Sequence, residues 1–292
     1  MKKKTSWFYL NKLDVSLLLL IGIFITWLVV KDSGSLSYHW DWERAARLLF
    51  STKTDGSVSY FIQGLFATLR LTLWGALFAI SFGVLLGIGR RSNVWFFRVL
   101  ANCYIQLIRN IPPLVFIFIF YFFVINQLIP LLGLEPLLRD HHGEVNKLQL
   151  FLFGQASLWE NLASGVLCIG MISAAYIGEV VRSGLDHINL GQHEAAKSLG
   201  LSTWHRYRYI IAPQVFKVII PPLAGQIISL IKDSSIVSLI SIQELTFVGS
   251  EIANSTGLIF EVWIIVAVCY FLLCFSLSQV FRYFEKRYNR FA

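Results

Sequence analysis

The stretch TLRLTLWGALFAISFGVLLG, residues 68–87, decides the fold. Its only charge is Arg70, near one end. Twenty such residues in a helix, at 1.5 Å each, reach the roughly 30 Å of a bilayer's hydrocarbon core. Gly75, Ala79, Gly83 and Gly87 recur at every fourth position, and Gly170, Ala174 and Gly178 repeat the pattern in a later apolar run. Such stripes let helix backbones approach closely where lipid supplies no hydrophobic push between them. They fit tight packing within one bundle or the face of a homodimer. Gly83, Gly87 and Gly89 form no dinucleotide fingerprint, because no strand precedes them.

The rest of the chain reads the same way. Of its 292 residues 56% are hydrophobic, 15% aromatic and only 14% charged, where a soluble domain carries about 25% charge. Mean hydropathy is strongly positive. One water-facing globule cannot bury that much apolar side chain, so lipid is the expected solvent. Six spans are expected, within residues 13–30, 60–88, 111–132, 158–181, 218–240 and 258–281, with a mixed stretch at 94–108 leading into the third. The first follows Lys2, Lys3, Lys4 and Lys12 but has no small-residue cleavage site, so it reads as an uncleaved span. The formal charge of +8 matters through its placement. With a cytoplasmic N-terminus, the inside segments hold Lys2, Lys3, Lys4, Lys12, Arg90, Arg91, Arg98, Arg182, Lys197, Arg206, Arg208, Arg282, Lys286, Arg287 and Arg290. The outside segments hold Lys31, Arg44, Arg47, Lys53, Arg139 and Lys147. The positive-inside rule then puts both termini in the cytoplasm. Cys103, Cys168, Cys269 and Cys274 sit in apolar runs without CxxC spacing or a nearby histidine, so neither disulfide nor metal site is expected.

Punctuation and charge within the spans carry more. Pro112-Pro113 follows Arg109-Asn110, and Pro221-Pro222 stands where the fifth span is expected to begin. Proline breaks the backbone ladder, which a membrane tolerates beside protein or water. These pairs read as broken helices lining a pathway or as plain helix starts. Ionisable groups in spans usually mark function. The candidates for a substrate path are Asp233, Glu179, Lys232 and Arg109, with Arg70 nearer a span end. Asp233 is expected about fifteen residues into its span, roughly 22 Å along the axis. Glu179 and Arg182, three apart on one helical face, also read as a structural pair.

Between the fourth and fifth spans, residues 182–215 lack apolar continuity. Within them NLGQHEAAKSLGLSTWHRYRYIIAP, residues 189–213, reads as two short helices with a sharp joint. Asn189 is an N-cap with Gln192 three residues on, as a capping box requires. Glu194, Ala195, Ala196 and Lys197 favour helix, and Gly200 supplies the left-handed position that closes it. A second helix starts near Ser202 and carries Trp204 to Arg208 back to the membrane. A capped helix with a small apolar face suits a groove on a partner protein, against the alternative of a solvated connector. His39, His141, His142, His187, His193 and His205 all read as loop residues, with His193 and His205 at the surface beside this helix.

Glu194-Ala195-Ala196, Gly200, Ile210 and Pro213, with Gly191 just ahead, match in residue and spacing the EAA signature of ABC importer permeases. In that family the loop docks into a cleft on an ATP-hydrolysing subunit. The stretches TLRLTLWGALFAISFGVLLG, LIRNIPPLVFIFIFYF, SAAYIGEVVRSGL, GQHEAAKSLG and ISLIKDSSIVSLISIQELT look like the polar amino acid branch. The resemblance implies an all-α integral membrane fold, a type I importer-like core of five helices plus an extra N-terminal one. It divides the chain into an N-terminal helix with an outside segment (1–59), the permease domain (60–284) and a cytoplasmic tail (285–292). Residues 31–59, expected to be wet, and 135–155 are insertions on the outside. It implies a non-catalytic subunit of the bacterial inner membrane, binding no cofactor itself, with ATP and Mg on a partner ATPase. The implied partners are ABC ATPase subunits, a second permease subunit, identical or paralogous, and an extracytoplasmic amino-acid-binding protein.

The residues agree, since no GxxxxGK[ST] phosphate cradle occurs in the chain. An ABC permease for another small polar solute and an ion-coupled secondary transporter remain as rival readings. The latter needs repeated halves with broken helices in matching places, and the loop has no counterpart near residues 90–98. A purely structural scaffold would not need Asp233 at depth.

Overall fold

The structure, a computed structural model, describes residues 11–32, 38–51, 58–138 and 146–289. Lys2, Lys3, Lys4, Lys53, Arg139, His141, His142 and Arg290 lie outside these residues. All regular elements among the described residues are helical: besides the single turns Glu135–Leu138 and Ala156–Leu158, they are α1 (Lys12–Asp32), α2 (Trp42–Phe50), α3 (Tyr60–Arg90), α4 (Trp95–Asn110), α5 (Pro113–Leu131), α6 (Lys147–Phe153), α7 (Trp159–His187), α8 (Leu190–Ser198), α9 (Thr203–Ile240), α10 (Leu245–Thr256) and α11 (Ile259–Asn289). Among the described residues, five of them, α3, α5, the run ending in α7, α9 and α11, are long and apolar enough to cross a membrane. With the 21-residue apolar α1 they give the expected five-plus-one pattern. The chain forms two compact units, Met1–Asp41, which carries α1, and Trp42–Ala292, which carries the bundle.

The bundle's core is the α3–α7 pair, and the two small-residue stripes face each other across it. A Cβ on Gly83 would stand 2.6 Å from Ile177 Cγ2, and one on Gly87 2.6 Å from Val181 Cβ. From the other side, a Cβ on Gly178 would meet Ile105 at 3.0 Å and Leu86 at 3.1 Å. The stripes are therefore consumed inside one chain, and the homodimer reading does not apply to them. α9 packs on α7 and α11, and α10 fills the corner between α3 and α11.

The expected boundaries need correction in three places. The mixed stretch at 94–108 is a helix, α4, which buries Ala101, Ile105 and Ile108. The connector between the fourth and fifth spans is half its expected length, because α7 continues to His187 and α9 starts at Thr203. Arg182 bridges both Glu179 and Asp186, so charge that reads as loop is satisfied along one helix face. Pro221 and Pro222 consequently lie inside α9, on its exposed side, rather than at its start. Asp233 moves with them, to the end of the α-helical run, where α9 tightens into the 3-10 turns Ser234–Ile240. Pro113 by contrast is a plain helix start, at the first turn of α5.

The two segments expected on the outside are partly structured. α2 buries Ala45 and Leu49 against the bundle, and Ser59 Oγ donates to the Leu49 carbonyl at 2.6 Å. Segment 31–59 is thus not wholly wet. α6 is clamped to α3 by Arg70, whose Nε and Nη2 donate to the Phe151 and Leu150 carbonyls at 2.8 and 2.9 Å. Trp74 adds a bond to the Leu152 carbonyl at 3.0 Å. A cation on the last carbonyls of a helix satisfies groups that have no internal partner.

Candidate coupling and transport site

The EAA segment forms α8. Asn189 caps it, but its side chain accepts from Gly191 N at 2.8 Å rather than from Gln192, so the expected capping box is not formed. Gly200 closes it at φ +71°, and the exit is a Schellman pair: Gly200 N bonds Lys197 O at 3.0 Å and Leu201 N bonds Ala196 O at 3.2 Å. A side chain at that φ would be strained. Ala196 is buried against the bundle, while Gly191, Glu194 and Ala195 are exposed. Of the remaining signature residues, Ile210 and Pro213 lie at the start of α9, where the π-turn Tyr207–Ile211 re-aims the chain into the membrane. A nine-residue helix thus stands off the bundle on two short joints, with its small face outward.

His187, His193 and His205 lie on helices, not in loops. His193 is half-buried on α8, and burial and then the Arg206 and Arg91 cations hold it below the ordinary histidine value. Among the described residues, no three His, Cys, Asp or Glu side chains converge as a metal ion requires.

α8 hangs from an ionic knot. Glu179 accepts from Arg90 and from Arg182 (2.6 Å), with Arg109 at 3.6 Å. Asp186 takes Arg182 and Arg91, the latter at 3.3 Å. Arg90 also donates to Asn102, and Arg109 lies over the Tyr176 ring. One knot therefore ties α3, α4 and α7 at the point where α7 leaves for α8. Two sequence candidates, Glu179 and Arg109, meet here. The other two, Lys232 and Asp233, are adjacent at the end of the α-helical part of α9. Lys232 is exposed and Asp233 half-buried. Lys232 lines a cavity of about 330 Å³ with Ser235, Thr246, Trp263 and Tyr270.

Sequence reasoning missed Glu244, which is fully buried at the N-cap of α10. Its carboxylate accepts from Phe247 N at 2.9 Å and from the Tyr270 hydroxyl at 2.6 Å, with Thr68 Oγ1 at 3.4 Å. Thr68 in turn accepts from Leu245 N at 3.1 Å, and Thr246 Oγ1 lies 2.9 Å from the Tyr270 hydroxyl. Burial pushes the Glu244 carboxyl up, against the pull of these donors. Ser241, three residues earlier, holds a left-handed backbone at φ 61°. The signal available in sequence was an acid flanked by the apolar runs of ISLIKDSSIVSLISIQELT.

Residues 79–290 match the family described as "Binding-protein-dependent transport system inner membrane component". The inner membrane amino-acid ABC transporter permease protein YhdY of Escherichia coli is 32% identical over 233 residues, covering 77% of this chain and 56% of that protein. The glutamine transport system permease protein GlnP of Escherichia coli is 31% identical over 231 residues, 79% of this chain and 94% of that one. The probable glutamine ABC transporter permease protein GlnM of Bacillus subtilis is 28% identical, with 80% and 94% covered. A solved structure described as an amino acid ABC transporter with histidines superposes with a TM-score of 0.65 at 28% identity, over 86% of this chain and 100% of that chain.

Proposed function

The chain belongs to the family of binding-protein-dependent transport system inner membrane components, and on that premise we propose that it carries a polar amino acid across the inner membrane. As a permease of this family it is a non-catalytic, multi-pass subunit, and a separate ATPase hydrolyses the ATP. The amino acid class is supported by relatives named for amino-acid, glutamine and glutamate/aspartate transport.

The observation that carries the reading is α8, a short helix capped at both ends, exposed along Glu194 and Ala195, and following the end of α7, which a knot of arginines and carboxylates ties to the bundle. In this reading α8 faces the cytoplasm, as do both termini, and seats in a cleft of the ATPase. Gly191, Glu194, Ala195, Ala196, Gly200, Ile210 and Pro213 form the coupling loop. A binding protein delivers the amino acid to the outer face. ATP binding draws two ATPases together and the loops with them, and hydrolysis returns the bundle inward. ATP and Mg stay on the ATPase. A rigid lever is what such coupling requires.

A second permease copy, identical or paralogous, closes the path. Lys217, Pro221, Gly225 and Lys232 are exposed along one side of α9. Two cations, a broken ladder and a bare backbone are a poor surface for lipid and a fitting one for a water-lined seam between protomers. Lys232 and Asp233 stand along that seam as substrate contacts, while Glu179 and Arg109 act on the path through the knot.

The test is substitution at the lever. Gly200→Val and Glu194→Lys are expected to insert normally and to lose ATPase binding and uptake, measured by co-purification and by transport of labelled amino acid. Normal binding and uptake in both would overturn the docking role.

A further inference from the structure

We propose that the cytoplasmic half of the bundle holds a site for an anionic phospholipid of the inner leaflet. A groove of about 420 Å³ opens between α3, α7 and α9. Its walls are apolar, with Val84, Val181, Val215, Phe216 and Ile219 among them, and its rim is polar, formed by Arg91, Ser92 and Asn93. From Val84 to Ser92 the wall runs about 12 Å along α3, close to the depth of one leaflet's hydrocarbon, half of roughly 30 Å. The order of surfaces, apolar inside and cationic at the rim, is the order of a phospholipid. The groove also lies on a different side of α9 from Lys217, Pro221, Gly225 and Lys232, so it is separate from the proposed seam.

Charge selects the occupant. Arg90, Arg91, Arg109 and Arg182 share two carboxylates, Glu179 and Asp186. Arg206, on the turn before the rim residue Tyr207, acts together with Arg91 on the His193 ring. Arg206 Nε is buried with no hydrogen-bond partner among the described residues. A lipid phosphate at the rim, where Arg91 lines the groove, offsets the cation excess, as basic pockets between helices on the cytoplasmic side do for anionic headgroups. Because Arg206 and Tyr207 lie at the start of α9, just after Gly200, the lipid would bear on the base of the coupling lever.

The placement on the inner leaflet rests on the orientation proposed above, so the test reads lipid separately from transport. The permease–ATPase complex, purified from membranes and also reconstituted in phosphatidylethanolamine vesicles with and without phosphatidylglycerol, is examined by native mass spectrometry and by ATP-driven uptake. Phosphatidylglycerol is expected to stay bound to the wild type. Arg206→Gln is expected to weaken its retention about fivefold, the factor for one cation near an anionic surface, with phosphatidylethanolamine retention unchanged. Val84→Trp, which fills the groove without touching charge, is expected to exclude both lipids. Equal phosphatidylglycerol retention in the wild type and both variants would overturn the site, and so would cross-linking of the groove to a protein chain. Failure of ATP-driven uptake in every lipid, with selective retention intact, would count against the transport reading and leave the site standing.

Discussion

Two carboxylates hold this bundle together at opposite ends of α3, and they do it by different physics. Glu179 is half-wet and gathers guanidinium groups from α3, α4 and α7. Glu244 is dry and is held by a backbone amide and the hydroxyls of Tyr270 and Thr68, joining α10 to α11 and α3. Ion pairs with partial water access are individually weak, screened by salt and able to exchange partners. A buried acceptor with short, directed donors has no such freedom, because each bond lost leaves a polar group in a dry place. The difference separates the two ends: the charges beside α8 can exchange partners, while the end at α10 is held by directed bonds in a dry place.

The largest expected effect is at the dry end. Glu244→Ala leaves the Tyr270 hydroxyl and Phe247 N without their acceptor and removes a helix cap, so a loss of about 3 kcal/mol is expected. Thermal unfolding of the purified subunit in detergent measures it. Glu244→Gln keeps an acceptor oxygen and should recover much of that loss; a Gln variant as unstable as the Ala variant would break the comparison. At the wet end Glu179→Gln should destabilise by only about 1 kcal/mol. The same unfolding measurement in about 1 M salt should shrink that deficit, since the Debye length there is near 3 Å, and leave the Glu244→Ala deficit nearly unchanged. Equal salt response at both ends would erase the distinction.

Much of this was legible in the sequence, where local pattern determines structure. Hydropathy gave the spans, the glycine and alanine stripes allowed close packing without naming their partner, and Asn189 to Gly200 gave α8 with its ends. The misreadings come from long-range partners. Charged residues 182–187 read as loop because, beside the local pairs of Arg182 with Glu179 and Asp186, Asp186 draws on Arg91, some ninety residues away, which has no local trace. Pro221-Pro222 read as a helix start because the exposed side of α9, where a missing N–H is tolerated, depends on what packs elsewhere. Glu244 went unread because its partners Thr68 and Tyr270 are 176 and 26 positions distant. A glutamate between apolar runs reads as a turn until the helices that enclose it are in place.

The contrast between an exchangeable end beside α8 and a fixed end at α10 matters only if, as proposed, an ATPase drives α8. The direct measurement is uptake of labelled amino acid into proteoliposomes carrying this chain with its ATPase, permease and binding-protein partners, with ATP enclosed and ion gradients collapsed. The account predicts uptake that requires ATP and is lost in Glu194→Lys. Uptake that follows an imposed ion gradient without ATP would contradict it.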